Sequence, residues 1–544
     1  MGRITPVTDP SHSPAATPAP APTTPAPEPS SSSAPECSSS LKKQVAGAAA
    51  SAEKQDTHAL LANAWHGLKQ LDSWLIPLAE AFAAAGQPIY LVGGSVRDAL
   101  LGRLTHDLDF TTPARPDEII DIITPMSETV WDTGIQYGTV SCLINGMTLE
   151  ITTFRTDQYD GTTRNPEVTF GDTLDGDLIR RDFRANAMAL ELSADGEHMF
   201  RDPLNGLNDL AEGILDTPDS PDISFNDDPL RMLRACRFVS QLGFSVAPRV
   251  KDAMCDMAEQ ITRITVERVA VELNKLMLGL EPWTGLDLMV TTGLAEYVLP
   301  ELPALRLTQD EHHHHKDVYW HSLRVLRNAV ELERARGMEP SLELRMAALL
   351  HDIGKPATRA FNDDGRVTFY QHEIVGAKLT RHRLRALKYS KQHIRDISEL
   401  VRLHMRFHGY GQRAGAGADS GSGDTGTWTD SAVRRYVNDA GHLLPWLHLL
   451  VRADCTTRNK NKARRLQRTY DGLEQRIAEL QEQEELAAVR PDLDGNDIME
   501  ILEIAPGRDV GRAWKYMKDL RLDHGPMERE EAIAALKQWW AEQQ

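Results

Sequence analysis

"LVGGSVRDALLGRLTHDLDFTT", residues Leu91 to Thr112, sets a Gly-Gly pair before a short helical stretch and then two aspartates, Asp107 and Asp109, one residue apart. On a strand, residues i and i+2 share a face, so both carboxylates point the same way. Like charges that close repel unless a cation stands between them. Two such carboxylates at a strand edge are what two-metal phosphoryl transfer needs, because each Mg²⁺ takes oxygen ligands and keeps room for phosphate. Upstream, Gly93 and Gly94 let backbone N–H groups approach a triphosphate, and Arg97 on the following helix adds a charged donor. Alone, a Gly-Gly turn is commonplace and an Asp-x-Asp is more often a capped loop. Their order and proximity carry the reading.

Around this stretch the texture is that of a small α+β unit. "PIYLV" reads as a strand, "SVRDALLG" as a short helix closed by Gly102, and "HDLDF" as a second strand. "RPDEIIDII" reads as a helix with acids in its first turn, and "GTVSCLI" and "TLEITTFR" flank Asn145-Gly146, a hairpin signal. After about Asp227 nearly everything reads helical. The expected fold class is therefore α+β, a head followed by a long α-helical body. The 544 residues are enough for several segments, and their 41% hydrophobic content is ample for a large core.

No apolar run approaches a membrane span, and the start of the chain lacks the charged and apolar regions of a secretory signal. The five cysteines are scattered without framework or metal spacing, which points to a reducing, cytoplasmic setting. A net charge of −19 argues against generic coating of nucleic acid. "RNKNKARRLQR", Arg458 to Arg468, is a local basic exception; the bland alternative is a solvated helical face. Residues 1–55, rich in Pro, Ala, Ser and Thr, are expected to be disordered, and "RAGAGADSGSGDTGT" (413–427) to form a flexible insertion near 411–429.

Two further stretches bear on chemistry. In "DDPLRMLRACRFVSQLGF" (Asp227 to Phe244), Asp228 and Pro229 read as N-cap and first helical residue. Met232, Ala235, Cys236 and Val239 then fall on one side of the helix, and Arg231, Arg234 and Arg237 on the other. Left to themselves, these residues read more simply as a cap and a solvated face. In "MAALLHDIGKP", an apolar run positions His351 and Asp352 at a buried helix end; His321 and Asp454 stand on other helical stretches. Such a mixed N/O set suits a divalent metal, with His372 and His404 available for a second position. A hydrogen-bonded core network is the alternative, and His312 to His315 read as a solvated loop.

Taken together, these stretches resemble the class II tRNA nucleotidyltransferase and bacterial poly(A) polymerase superfamily. "LVGGSVRDALLG…HDLDFTT" resembles its signature, "RRDFRANAMAL" (Arg180 to Leu190) its ribose-contacting motif, "DDPLRMLRACRF" its base-reading motif, and "HDIGKP" an appended HD domain. Roughly residues 60–470 are covered, and the nearest likeness is to CCA-adding enzymes with an HD domain. The resemblance implies a polymerase-β-like head that adds CMP and AMP to the 3′ end of tRNA from CTP and ATP. It implies that Asp107 and Asp109 hold Mg²⁺. Gly94, Arg97 and Arg181 would hold the nucleotide's phosphates and sugar, with Asp182, Asp228, Arg231, Arg234 and Arg237 completing its recognition. His321, His351, Asp352 and Asp454 would form an HD site with a second divalent metal. The domains would run 1–55 (tail), 56–215 (head), 216–305 (nucleotide recognition and neck), 306–470 (HD) and 471–544 (helical tRNA-binding region). A poly(A) polymerase, a C-only or A-only enzyme, or an HD phosphohydrolase with a vestigial head are the alternatives. Arg184 and Ala185 depart from the family's usual residues, so Arg184 is expected to add charge beside the ribose site. Glu150 is a third acid whose facing the sequence does not fix.

Overall fold

The computed structural model describes residues 55–103, 107–155, 170–306, 317–365, 367–407, 428–456, 459–484 and 490–544. The expected tail, the 413–427 insertion and His312 to His315 lie outside these residues.

Seven strands form the sheet of the head: β1 (Tyr90–Val92), β2 (Asp107–Thr112), β3 (Thr129–Trp131), β4 (Thr139–Ile144), β5 (Met147–Thr153), β6 (Ala189–Glu191) and β7 (Met199–Arg201). Their spatial order is β3-β4-β5-β2-β1-β6-β7. Only β2 and β5 pair in parallel; the other neighbours are antiparallel. Alternation decides which face is which. Leu108 and Phe110 of β2 and Leu149 and Ile151 of β5 are buried, while Asp109 and Glu150 between them are exposed. The buried face meets the apolar sides of helices Asp72–Ala84 and Pro116–Ile123, through Leu75, Leu78, Ile119 and Ile123. The hairpin joining β4 to β5 turns at Asn145 and Gly146, with φ of 52° and 73°. Both angles are positive, as a two-residue turn matching strand twist requires.

Beyond the head the chain is helical. An arginine-bearing helix (Leu230–Leu242) packs against a neck helix (Val266–Met277) and against Pro282–Thr291. The HD bundle follows, built on Val318–Ala335, Leu342–Leu350, His372–Ala386, Lys391–Leu403 and Leu444–Ala453. One hydrophobic core runs without a break from Leu60 in the head to Leu480 on helix Lys460–Glu484. The last three helices, Gly495–Leu502, Arg508–His524 and Arg529–Gln543, close around a small separate core of Leu493, Ile498, Ala513, Met517, Ala532 and Leu536. Among the described residues no helix is long and apolar enough to cross a membrane. The architecture is the expected one, an α+β head on a mostly helical body that includes an HD bundle.

Candidate active site

The exposed face of β2 and β5 forms one wall of a cavity of about 1180 Å³, which also takes in Gly93, Arg181, Asp228 and Arg231. Asp109 and Glu150 are direct partners in the parallel register, so the acid left unassigned by sequence stands beside Asp109 on the same face. Asp107 opens β2 two positions earlier, opposite Thr148. The Asp109 N–H donates to Ser95 Oγ at 3.0 Å, tying the strand to the helix after the glycines. That helix, Gly94–Leu100, is entered through Gly93 at φ 71°. A Cβ at Gly93 would lie 3.0 Å from Arg181 Nη1 and 3.6 Å from Asp109 Oδ2, and the positive φ disfavours any side chain there. The turn is shaped by what sits over it.

The predicted nucleotide-binding residues meet in this cavity, most of them already held by hydrogen bonds or ion pairs. Arg97 bonds Asn186 Oδ1 at 2.8 Å and Asp98, and lies 5.2 Å from the centre of the Phe238 ring. Arg181 pairs with the buried Asp177 at 2.9 Å. Asp182 accepts from its own neighbour Phe183 N–H, from Asn186 Nδ2 at 2.9 Å and from Arg234 Nε at 2.8 Å. Arg231 donates to Ser224 Oγ at 2.8 Å and to the Arg180 carbonyl at 2.6 Å. Asp228 Oδ2 is held by Arg268 at 2.8 Å, while Oδ1 accepts the Leu230 N–H at 3.2 Å. Arg155, Arg268 and Asn186 therefore join the cavity unforeseen. Arg155 had a signal, standing at the outer end of the "TLEITTFR" strand. Arg268 had none, because its partner lies 40 residues away.

Three expectations need correction. The helix begins at Leu230 rather than Pro229; Asp228 still caps it through the Leu230 N–H, because an aspartate two residues ahead reaches that donor. The simpler alternative for the arginines, a solvated face, does not hold for Arg237. Arg237 is buried against Glu272 at 2.9 Å, and burial, then the neighbouring Arg234, pull its guanidinium down to about 10. Arg184 does not sit at the ribose side of the cavity. It turns away to pair with Asp209 at 3.0 Å and with Asp216, which also holds Arg249, so its charge is spent within the head's fold.

Burial alone would raise the Asp182 carboxyl, but Arg234 and Asn186 outweigh it and hold the group well below its usual 3.8. A depressed carboxyl stabilises the folded state fully above that usual value and loses the contribution as pH falls below it. Asp182→Asn should therefore lower stability at pH 7, and its deficit against the parent should shrink below about pH 4. Urea titrations of both proteins between pH 7 and pH 3 measure this; a pH-independent gap would remove the electrostatic account.

The HD bundle gathers a second cluster. His351, His404 and Asp454 each follow the last residue of a helix, His372 opens one, and His321 lies in the first turn of another. Nδ1 of His351, His372 and His404 donates to the carbonyl three residues back, of Ala348 (2.9 Å), Phe369 (2.9 Å) and Val401 (2.6 Å). A carbonyl only accepts, so each Nδ1 carries a proton and each Nε2 faces the centre. His321 Nε2 lies 3.0 Å from Asp454 and 3.4 Å from Asp352, and Asp352 Oδ1 lies 3.4 Å from His372 Nε2. The ligand atoms of His321, His351 and Asp352 fall within 4.8 Å of one another, as do those of Asp352, His372 and His404. Burial, then the charge on His351, pushes His404 down to about 3, leaving it neutral and able to offer a lone pair.

The chain is similar to known proteins along much of its length. Residues 89–216 match the poly A polymerase head domain, 243–305 the probable RNA- and SrmB-binding site of polymerase A, and 318–432 the HD domain. A CCA-adding enzyme of Lactiplantibacillus plantarum is 43% identical over 223 residues, 41% of this chain and 53% of that protein. One from a Geobacillus strain is 42% identical over 227 residues, 42% of this chain and 53% of that one. The chain thus spans about half the length of the curated relatives it matches. Among solved structures, the Bacillus stearothermophilus CCA-adding enzyme in complex with CTP superposes with a TM-score of 0.60 at 24% identity, over 86% of this chain and 97% of that one. The Thermotoga maritima CCA-adding enzyme complexed with tRNA gives 0.54 at 17% identity, over 87% and 96%. These two likenesses speak to the fold. Residues 89–216 thus carry a match to the poly A polymerase head domain, and the curated relatives the chain resembles are CCA-adding enzymes.

Proposed function

We propose that the chain adds CMP and AMP to the 3′ end of tRNA, from CTP and ATP, without a nucleic-acid template. The observation that carries this reading is the cavity that brings the glycine turn, Asp109 of β2 and the Asp228–Arg231 pair together. In the reaction, the terminal hydroxyl of the RNA attacks the α-phosphorus of the nucleotide, a new phosphodiester forms and pyrophosphate leaves. Asp109 and Glu150 stand side by side on one open face, and with Asp107 two positions earlier on β2 these carboxylates would offer hard oxygen donors that fit divalent cations, Mg²⁺ in particular. When bound, such ions would lower the pKa of the attacking hydroxyl and neutralise charge on the leaving pyrophosphate.

The chain's own residues do the rest. The Gly93-Gly94 turn presents backbone to the phosphates, Arg97 and Arg181 set the positive wall, and Asp182 fixes Arg234 beside the sugar. Asp228 and Arg231 offer acceptor and donors to the edge of the base. Exposed Lys462, Arg464 and Arg468 on helix Lys460–Glu484 suit an RNA backbone, as do basic side chains of the terminal helices. Purified protein given tRNA that ends at the discriminator base, with CTP and ATP, should extend it by C, C and A and stop. A long A tail would identify a poly(A) polymerase, one added base class a partial enzyme, and no extension would end the reading.

The HD cluster supports a second, hydrolytic activity at a separate metal site, since its four histidines turn Nε2 toward one buried aspartate. His351→Ala with Asp352→Ala should abolish metal-dependent phosphoester hydrolysis and leave nucleotide addition within about threefold, because these ligands lie away from the head cavity. Collapse of both activities in a folded protein would contradict two sites.

A further inference from the structure

The neck helix Val266–Met277 supplies the arginine helix with two partners. Arg268 holds Asp228 at 2.8 Å and Glu272 holds Arg237 at 2.9 Å. The turn after it grips the other end of the arginine helix. Ser240 Oγ donates to the Leu276 carbonyl at 2.6 Å, and the Glu281 N–H donates to the Ser240 carbonyl at 2.8 Å. The backbones meet so closely that a Cβ at Gly279 would stand 2.9 Å from the Ser240 carbonyl carbon and oxygen. Leu278, Gly279 and Leu280 of this turn also line the head cavity.

The last carbonyls of a helix have no partner within it. Here the Met277 and Gly279 carbonyls accept from Arg345 Nη1 at 2.9 and 2.8 Å. Arg345 belongs to the HD bundle, on helix Leu342–Leu350, and is 2% exposed. Its Nε meets Glu333 Oε2 at 2.8 Å, and Glu333 Oε1 accepts the Ser341 N–H at 2.9 Å. A buried ion pair adds little net stability over apolar side chains of similar volume. What the guanidinium does add is a rigid fork that binds a carboxylate and two carbonyls at once.

Resting on the reading of Asp228 and Arg231 as base-reading groups, we propose that Arg345, oriented by Glu333, is a positioning residue for base choice. It fixes the neck helix along its axis, and through Arg268 and Glu272 it sets the orientation of Asp228 and Arg237. An HD-bundle side chain therefore governs fidelity in the head without touching nucleotide.

The test uses the full chain with Arg345→Lys, which keeps the charge but not the fork, and the charge-balanced double variant Arg345→Met with Glu333→Gln. Amide hydrogen exchange of residues 276–281 and 228–237 should quicken about tenfold or more, the scale of a lost hydrogen bond to a charged group. Incorporation efficiency for CTP and ATP relative to UTP and GTP should fall about tenfold, with kcat for CTP changed less than about threefold, Arg345→Lys being the milder. Unchanged exchange in both folded variants overturns the clamp. Faster exchange with parental base ratios overturns its role in base choice. A parent that incorporates neither CTP nor ATP instead ends the functional reading, while the exchange measurement still decides the clamp.

Discussion

Asp109→Ala should abolish nucleotide addition, by at least about a thousandfold, while leaving the protein folded. A bound divalent cation contributes several kcal/mol to charge stabilisation in phosphoryl transfer, and each 1.36 kcal/mol is about tenfold in rate. Asp109 is exposed on β2 and sits in register with Glu150, so its removal relieves repulsion rather than opening a hole in the core. The melting temperature should stay level or rise slightly. Asp107→Ala, two positions earlier on the same strand, should have the same effect on rate. The measurement is single-turnover incorporation of CMP in Mg²⁺ beside a thermal melt. Near-parental incorporation by either variant in Mg²⁺ would sink the carboxylate assignment.

The second large effect concerns choice rather than rate. A carboxylate and a guanidinium offer acceptors and donors that match the edges of cytosine and adenine and mismatch guanine, which carries a carbonyl where adenine carries an amine. Asp228→Ala and Arg231→Ala should each cut the preference for CTP and ATP over GTP and UTP by about tenfold to a hundredfold, the scale of one good base contact. Rate alone does not separate this from structure. Asp228 also caps the helix at the Leu230 N–H and anchors Arg268, so its loss costs about 1 kcal/mol of helix stability as well. Arg231 is bonded to Ser224 and to the Arg180 carbonyl, and its removal frees both. The informative quantity is the ratio of incorporation efficiencies, parent against variant. Lower rates at unchanged ratios would make both residues structural and move base choice elsewhere.

The sequence disclosed what short-range physics controls. Alternation in "HDLDF" placed the Asp109 position on the open face, Asn145-Gly146 gave the hairpin, and "MAALL" set His351 and Asp352 at a buried helix end, where the structure has them. What stayed hidden depends on tertiary contact. Glu150 needed the parallel register of β5 on β2, which nothing local sets. The pairings of Arg268 with Asp228 and of Arg345 with the neck carbonyls join helices far apart in sequence. Arg184 misled for the same reason: its position in a nucleotide motif suggested a ligand, but Asp209 and Asp216 are nearer. Helical spacing set the three arginines on one face, but only the tertiary structure shows that Arg237 is buried there.

The hydrophobic core that runs unbroken from the head into the HD bundle has a consequence for descent. A lineage that lost the clustered histidines would still have to keep the helices that carried them, because the neck's apolar side chains share one core with those helices. Loss of the cluster would thus leave a bundle without its histidines but with its leucines intact. Exchange of the bundle between genes would succeed only together with the neck it packs against.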